Sequence, residues 1–244
     1  MEISDVRSFC SDRWLRRCRC WLASQLLGQG WQVQGLRRSI SRLPEGVRGV
    51  AGDLFDAQRP ATWPTGSLDY VVYCAAATDH DEAGYRAAYV DGLRHVLSWL
   101  KESGQQPRRL LFVSSSSVYV QQHGEWVDET STTEAESYSG RLMLEAEQLA
   151  LDSGIAASRV RLTGIYGPGR EWLLTQVRRG YQVAVEPPLY GNRIHADDAA
   201  GLLAFLLGRD RVGCRGQRAP YRQQALQQCP CAGSGLGAAL SQLS

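Results

Sequence analysis

Residues 68–77, LDYVVYCAAA, are apolar almost without interruption. A strand of this kind has no polar face. It fits where both sides of a sheet are covered, and parallel sheets sandwiched between helices meet that condition. The same texture returns at 110–117, LLFVSSSS. Between the two runs, residues 85–103 place Tyr89, Leu93, Val96, Leu97 and Leu100 on one helical face. Further strands are expected at 31–36, 47–54 and 157–163, and helices at 135–152, 171–179 and 197–207. A helix ends near residue 27, stopped by Gly28 and Gly30. Residues 164–170 are rich in glycine and proline and read as a loop. Strands separated by helices imply right-handed crossovers, so the expected class is α/β with a doubly wound, Rossmann-like parallel sheet.

At 244 residues and 43% hydrophobic content the chain suits one such domain, expected over 22–208. A net charge of +2 demands neither a nucleic-acid nor a membrane partner. No apolar run reaches the roughly 18–20 residues of a membrane-crossing helix. Asp5, Arg7, Asp12 and Arg13 interrupt the N-terminal segment, so a cytoplasmic location without a signal peptide is the expectation. Six of the seven cysteines lie toward the two ends, an odd total that argues against a disulfide framework. Cys18/Cys20 and Cys229/Cys231 are spaced CxC rather than CxxC, and no metal site is expected.

The two ends depart from the pattern. Residues 1–21 stand where a first strand and a glycine-rich phosphate turn belong, yet they contain SDRWLRRCRCW. Arg13, Arg16, Arg17 and Arg19 with Trp14 and Trp21 have the makings of a nucleic-acid patch, but no second basic stripe supports it. A reading-frame shift accounts for the segment better. Residues 12–19, DRWLRRCR, can be encoded so that the frame one nucleotide later reads IAGCGDVG, a strand end followed by the G-x-G-x-x-G signature. Trp14 has a single codon, which forces a glycine in that frame. Residues 209–244 form a second anomalous stretch, rich in Gln, Arg and Cys, which reads as disordered or as another shifted segment. Compensating insertions or deletions are therefore expected in the gene near codons 10–21 and 209.

Several residues at expected strand ends carry chemistry. Arg37 and Arg38 follow the second strand, where an NAD-binding fold puts a carboxylate on the ribose. Arginine there suits a 2′-phosphate, which favours NADP over NAD, although a solvated pair at a strand end reads equally well. Cys74, Ala75 and Ala76 end the longest apolar strand, and small residues there let a nucleotide lie against the backbone. Four serines, 114–117, close the next strand, and Tyr138 stands in an amphipathic helix nineteen residues after Tyr119.

Taken together, GDL at 52–54, the alanine strand end, VSSSSVY, YSGR at 138–141, GIYGPG at 164–169 and NRIHADD at 192–198 resemble the extended short-chain dehydrogenases, of the NAD(P)-dependent epimerase/dehydratase type. The resemblance covers 22–208. It implies an NADP (or NAD) cofactor and reversible hydride transfer at a hydroxyl-bearing carbon of a small molecule, with nucleotide sugars as candidate substrates. By the family's pattern Asp53 and Leu54 meet the adenine, and Gly164 and Ile165 lie beside the nicotinamide. Ser115, or next Ser116, holds the substrate oxygen, and Tyr138 exchanges the proton. Tyr166, Arg193 and His195 fall on the substrate side. The family's lysine four residues after the tyrosine is replaced by Leu142, and Arg141, at i+3, is the nearest cation to lower the tyrosine pKa. Without that lysine, a cofactor-binding module lacking turnover is the alternative, and a frameshifted product with impaired cofactor binding is a third. The helices at 85–103 and 135–152 are the candidate surfaces for a homodimer.

Overall fold

The computed structural model describes residues 18–121, 123–168, 172–182 and 191–211. Over them the chain runs α1 (Cys18–Gly28), β1 (Gln34–Arg37), β2 (Arg48–Ala51), β3 (Tyr70–Tyr73), α2 (Glu82–Tyr85), a π-helical turn (Arg86–Asp91), α3 (Gly92–Glu102), β4 (Arg109–Ser115), α4 (Tyr138–Leu151), β5 (Ala157–Leu162), β6 (Ile165–Tyr166), α5 (Trp172–Arg178), β7 (Ile194–His195) and α6 (Ala196–Arg211). Residues 1–17 of the first anomalous stretch and 212–244 of the second lie outside the described residues.

Every strand pairing is parallel: β1 with β2, β3 with β4 and β4 with β5, β6 with β7. Side chains alternate across these strands with period two, and the two resulting faces feed two separate cores. Val71, Tyr73, Leu110 and Phe112 pack against α3 and α4. Tyr70, Val72, Leu111 and Val113 pack against α1 and α6. The apolar runs are thus covered on both faces, as their composition requires, and the architecture is the doubly wound α/β class. Among the described residues no helix is long and apolar enough to cross a membrane.

Three local features differ from the sequence-based expectation. The helix at 85–103 begins earlier, at Glu82, where the Asp81 side chain accepts from the Gly84 N–H at 2.7 Å. It is interrupted by the π-turn, because the buried Tyr73 hydroxyl donates to the Ala88 carbonyl at 2.6 Å and sits where a side chain on Gly92 would stand. Residues 164–170, expected as a loop, contain β6, which pairs Ile165 with Ile194 and Tyr166 with His195. The serine run does not stay extended either. β4 ends at Ser115, and Ser116–Val118 form a 3₁₀ turn.

Candidate active site

The carboxyl ends of β1 and β3, with the turn after β2, surround an open cleft. Its lining includes Leu36, Arg37, Arg38, Asp53, Leu54, Ala75 and Ala76, contributed by three separate segments. Sequence reasoning had selected six of these seven. It missed Leu36 itself and Phe55, Thr78 and Ala88, which complete the wall. Ala88 belongs to the π-turn, so no periodicity in the sequence marks it. Cys74 is not part of the cleft; it is buried in the core between the sheet and α1 and α6.

The polar groups of the cleft are ordered. Arg37 is buried, and its Nη1 donates to the Arg42 carbonyl at 3.1 Å. Arg38 is half exposed and holds Nη1 3.6 Å from Asp53 Oδ2. Asp53 Oδ1 accepts from the Phe55 N–H at 3.1 Å, closing the tight turn that presents Leu54. His95 Nδ1 meets the Leu54 carbonyl at 2.7 Å from behind. A carbonyl only accepts, so that nitrogen carries the hydrogen.

Beside the cleft lies the serine turn. Ser115 and Ser116 are half-buried, and Ser115 Oγ accepts from the Ser117 N–H at 3.2 Å. The turn packs on the first turn of α4. Gly140 makes this possible, since a Cβ there would strike the Ser117 carbonyl oxygen and the Ala135 side chain. Ser137 caps the helix through Oγ, which accepts from the Gly140 N–H at 3.1 Å. Tyr138 is the first residue of that helix. Its ring stands edge-on to Tyr85 at 5.6 Å, and its hydroxyl donates to the His80 carbonyl at 2.7 Å. His80 lies on the segment that leaves β3, two residues past Thr78 of the cleft lining. Arg141 turns elsewhere, donating through Nη1 to the Glu136 carbonyl. Leu142, four residues after Tyr138, is buried in the core.

A group that the sequence did not reveal fixes β4, β5 and α4 together. The Glu147 carboxylate, buried, accepts from Ser114 Oγ at 2.6 Å and from Arg161 Nε and Nη2 at 2.9 and 2.7 Å. Burial pushes its pKa up, but the hydrogen bonds from Arg161 and Ser114 outweigh that, and the net direction is down. The same bonds to Glu147 hold the Arg161 guanidinium more firmly charged than usual. Arg161 Nη1 also donates to the Tyr119 hydroxyl at 3.2 Å, which donates to the Asp128 carbonyl at 2.9 Å. The cue in the sequence was an acid on the face shared by Gly140, Met143 and Ala150, but its partners are fixed by the Ser114–Arg161 register, which no local pattern gives.

The β6–β7 pair gathers the expected substrate-side residues. Tyr166 stands edge-on to His195 at 5.2 Å, and Trp21 of α1 stacks on the same imidazole at 6.1 Å. The Asp197 N–H donates to His195 Nδ1 at 3.3 Å. Gly164 has φ 35°, and the Asn192 carbonyl and the Arg193 side chain fill the space a Cβ would need. Among the described residues no three His, Cys, Asp or Glu side chains converge as a metal site.

Comparison with known proteins bears on this geometry. The family model described as "NAD dependent epimerase/dehydratase family" matches residues 20–217. A protein from Methylobacillus flagellatus described as a NAD-dependent epimerase/dehydratase is 32% identical, with 88% of this chain and 73% of that chain covered and a TM-score of 0.68. DesIV, a dTDP-glucose 4,6-dehydratase from Streptomyces venezuelae solved with NAD and TYD, is 18% identical over 83% of this chain and 72% of its own, at a TM-score of 0.66. WbmG from Bordetella bronchiseptica, solved with NAD and UDP, is 18% identical over 82% and 68%, at 0.63. The last two likenesses concern the fold. No curated protein matches the chain.

Proposed function

The chain belongs to the NAD dependent epimerase/dehydratase family, and from that membership we propose that it binds NADP(H) along the carboxyl edge of its sheet and acts on a hydroxyl-bearing carbon of a sugar nucleotide. The observation that carries the reading is the convergence of Arg38, Asp53, Leu54, Ala75 and Ala76 on one cleft. These residues fit the group. The two alanines leave room for a flat ring against the backbone, and Asp53 and Arg38 supply polar contacts at the mouth. Of the two arginines, Arg38 is the one for a 2′-phosphate, because Arg37 is buried with Nη1 engaged by a backbone carbonyl. The exposed Arg38–Asp53 pair is worth little by itself and gives way readily to a phosphate.

The nicotinamide, when bound, supplies hydride acceptance and return. The chain's own residues do the rest. Ser115 at the end of β4 holds the reacting oxygen of the substrate, and Tyr138 takes or gives its proton. Tyr166, Arg193 and His195 face the remainder of the substrate, an anionic sugar nucleotide of the kind bound by MoeE5, a fold neighbour solved with UDP-glucose and NAD. One observation favours a second reading, a binding module without turnover: Leu142 is buried where the family carries lysine, and Arg141 is engaged by the Glu136 carbonyl.

Fluorescence titration tests the cofactor assignment. NADPH is expected to bind saturably and more tightly than NADH. Arg38→Ser removes one charge-assisted contact and should weaken NADPH about 10–100-fold with NADH unchanged. Equal weakening of both cofactors would contradict the role given to Arg38, and no saturable binding of either would contradict the reading as a whole.

A further inference from the structure

Tyr73, the last residue of β3, is buried in the core that the sheet shares with α3 and α4, its ring stacked on Phe112 at 5.9 Å. Phenylalanine would fill that space without a hydroxyl to desolvate, so the hydroxyl calls for a role. It donates to the Ala88 carbonyl at 2.6 Å. Burial pushes its pKa well above the ordinary value, which keeps it a donor. In an α-helix the Ala88 carbonyl would accept from the Gly92 N–H, four residues on. Here the Gly92 N–H goes one residue further back, to the Ala87 carbonyl, which is the π spacing. The phenol oxygen thus occupies a place in the helix ladder, and a Cβ on Gly92 would stand 2.6 Å from it.

A π-turn holds one residue more than the α-helical turn it replaces. Its loss would rotate the residues before it by about 100° and slide them by roughly 1.5 Å. Those residues carry the contacts with α4. Tyr85 meets the Tyr138 ring edge-on at 5.6 Å, and Arg86 grips the Glu145 carboxylate with both terminal nitrogens, each at 3.0 Å. A slip of one residue would bring Ala87 to the place where Ala88 lines the cleft, an exchange of like for like. The same slip would turn Tyr85 and Arg86 away from α4. The cleft is therefore indifferent to the π-turn, and the surroundings of Tyr138 are not.

We propose that Tyr73 is a positioning residue for the chemistry: its hydroxyl holds the π-turn open, and the π-turn sets Tyr85 against the proton-exchanging Tyr138. The assignment rests on the role given to Tyr138 above. Two substitutions, alone and together, test it. Gly92→Ala should lower the melting temperature of the parent, because its methyl meets the Tyr73 hydroxyl, and should be neutral or stabilising in Tyr73→Phe, where that oxygen is gone. Tyr73→Phe should lose about 10–100-fold in kcat for a sugar nucleotide, followed by chromatography of the converted sugar, and bind NADPH as the parent does. The double variant should stay as slow as Tyr73→Phe while its stability recovers, whereas a merely structural role would restore both together. A parent-like kcat in Tyr73→Phe, a kcat that returns with stability, equal losses of kcat and NADPH affinity, or additive effects of the two substitutions on melting would each overturn the assignment. A parent that binds NADPH and converts no sugar also overturns it and leaves the cleft reading standing. A parent that binds no NADPH overturns both.

Discussion

Tyr138→Phe is expected to lower turnover of a sugar nucleotide by about 10²–10⁴-fold and to leave NADPH affinity unchanged. The phenol oxygen is the only atom removed. In the resting structure it donates to the His80 carbonyl, an exposed contact of the sort worth about 1 kcal/mol, so the fold survives its loss. The ring keeps its edge-on contact with Tyr85. Tyr138 is not among the residues that line the cleft, which is why binding and chemistry separate. Chromatographic detection of the converted sugar, from a panel of UDP- and dTDP-sugars incubated with NADP⁺, gives the turnover, and fluorescence titration gives the affinity. A variant as active as the parent would remove Tyr138 from the chemistry. A parent that binds NADPH and turns over none of the sugars would favour the binding module instead.

Gly140→Ala carries the next largest effect. One methyl group would run into the Ser117 carbonyl oxygen and the Ala135 side chain, and backbone cannot swing aside as a flexible side chain does. Overpacking of this kind costs about 1–3 kcal/mol, or more where backbone must move. Here the strain falls on the contact between the serine turn and α4, so loss of turnover should accompany a lower melting temperature. Gly201→Ala is the control. Gly201 lies inside α6 with nothing near a prospective Cβ, so alanine there should stabilise by about 0.5–1 kcal/mol through helix propensity alone. Circular dichroism melts of the two variants should move in opposite directions. A neutral Gly140→Ala would mean that the turn and the helix do not touch as described.

How much of this was legible depended on the range of the interaction. The runs at 68–77 and 110–117 announced a sheet covered on both faces, because a continuous apolar strand has no other stable setting. Arg38, Ala75 and Ala76 were identifiable because each sits at a strand end, and strand ends meet in a parallel sheet, whereas Asp53 and Leu54 were identifiable from the resemblance of GDL to the family's pattern. The π-turn was hidden because its cause, the Tyr73 hydroxyl, is fifteen residues from Ala88 in sequence. The β6–β7 pair was hidden because two-residue strands have no period to read. Glu147 looked like any acid on a helix until register set Arg161 beside Ser114.

A crystal structure of the chain grown with NADP⁺ tests the account most directly. It should hold the adenine against Leu54 and Ala76, the 2′-phosphate on Arg38, and the nicotinamide beside Ser115 and Tyr138 with both hydroxyls opening into one crevice. Density for the cofactor at another place, or Ser115 and Tyr138 facing separate packing layers around it, would contradict the account.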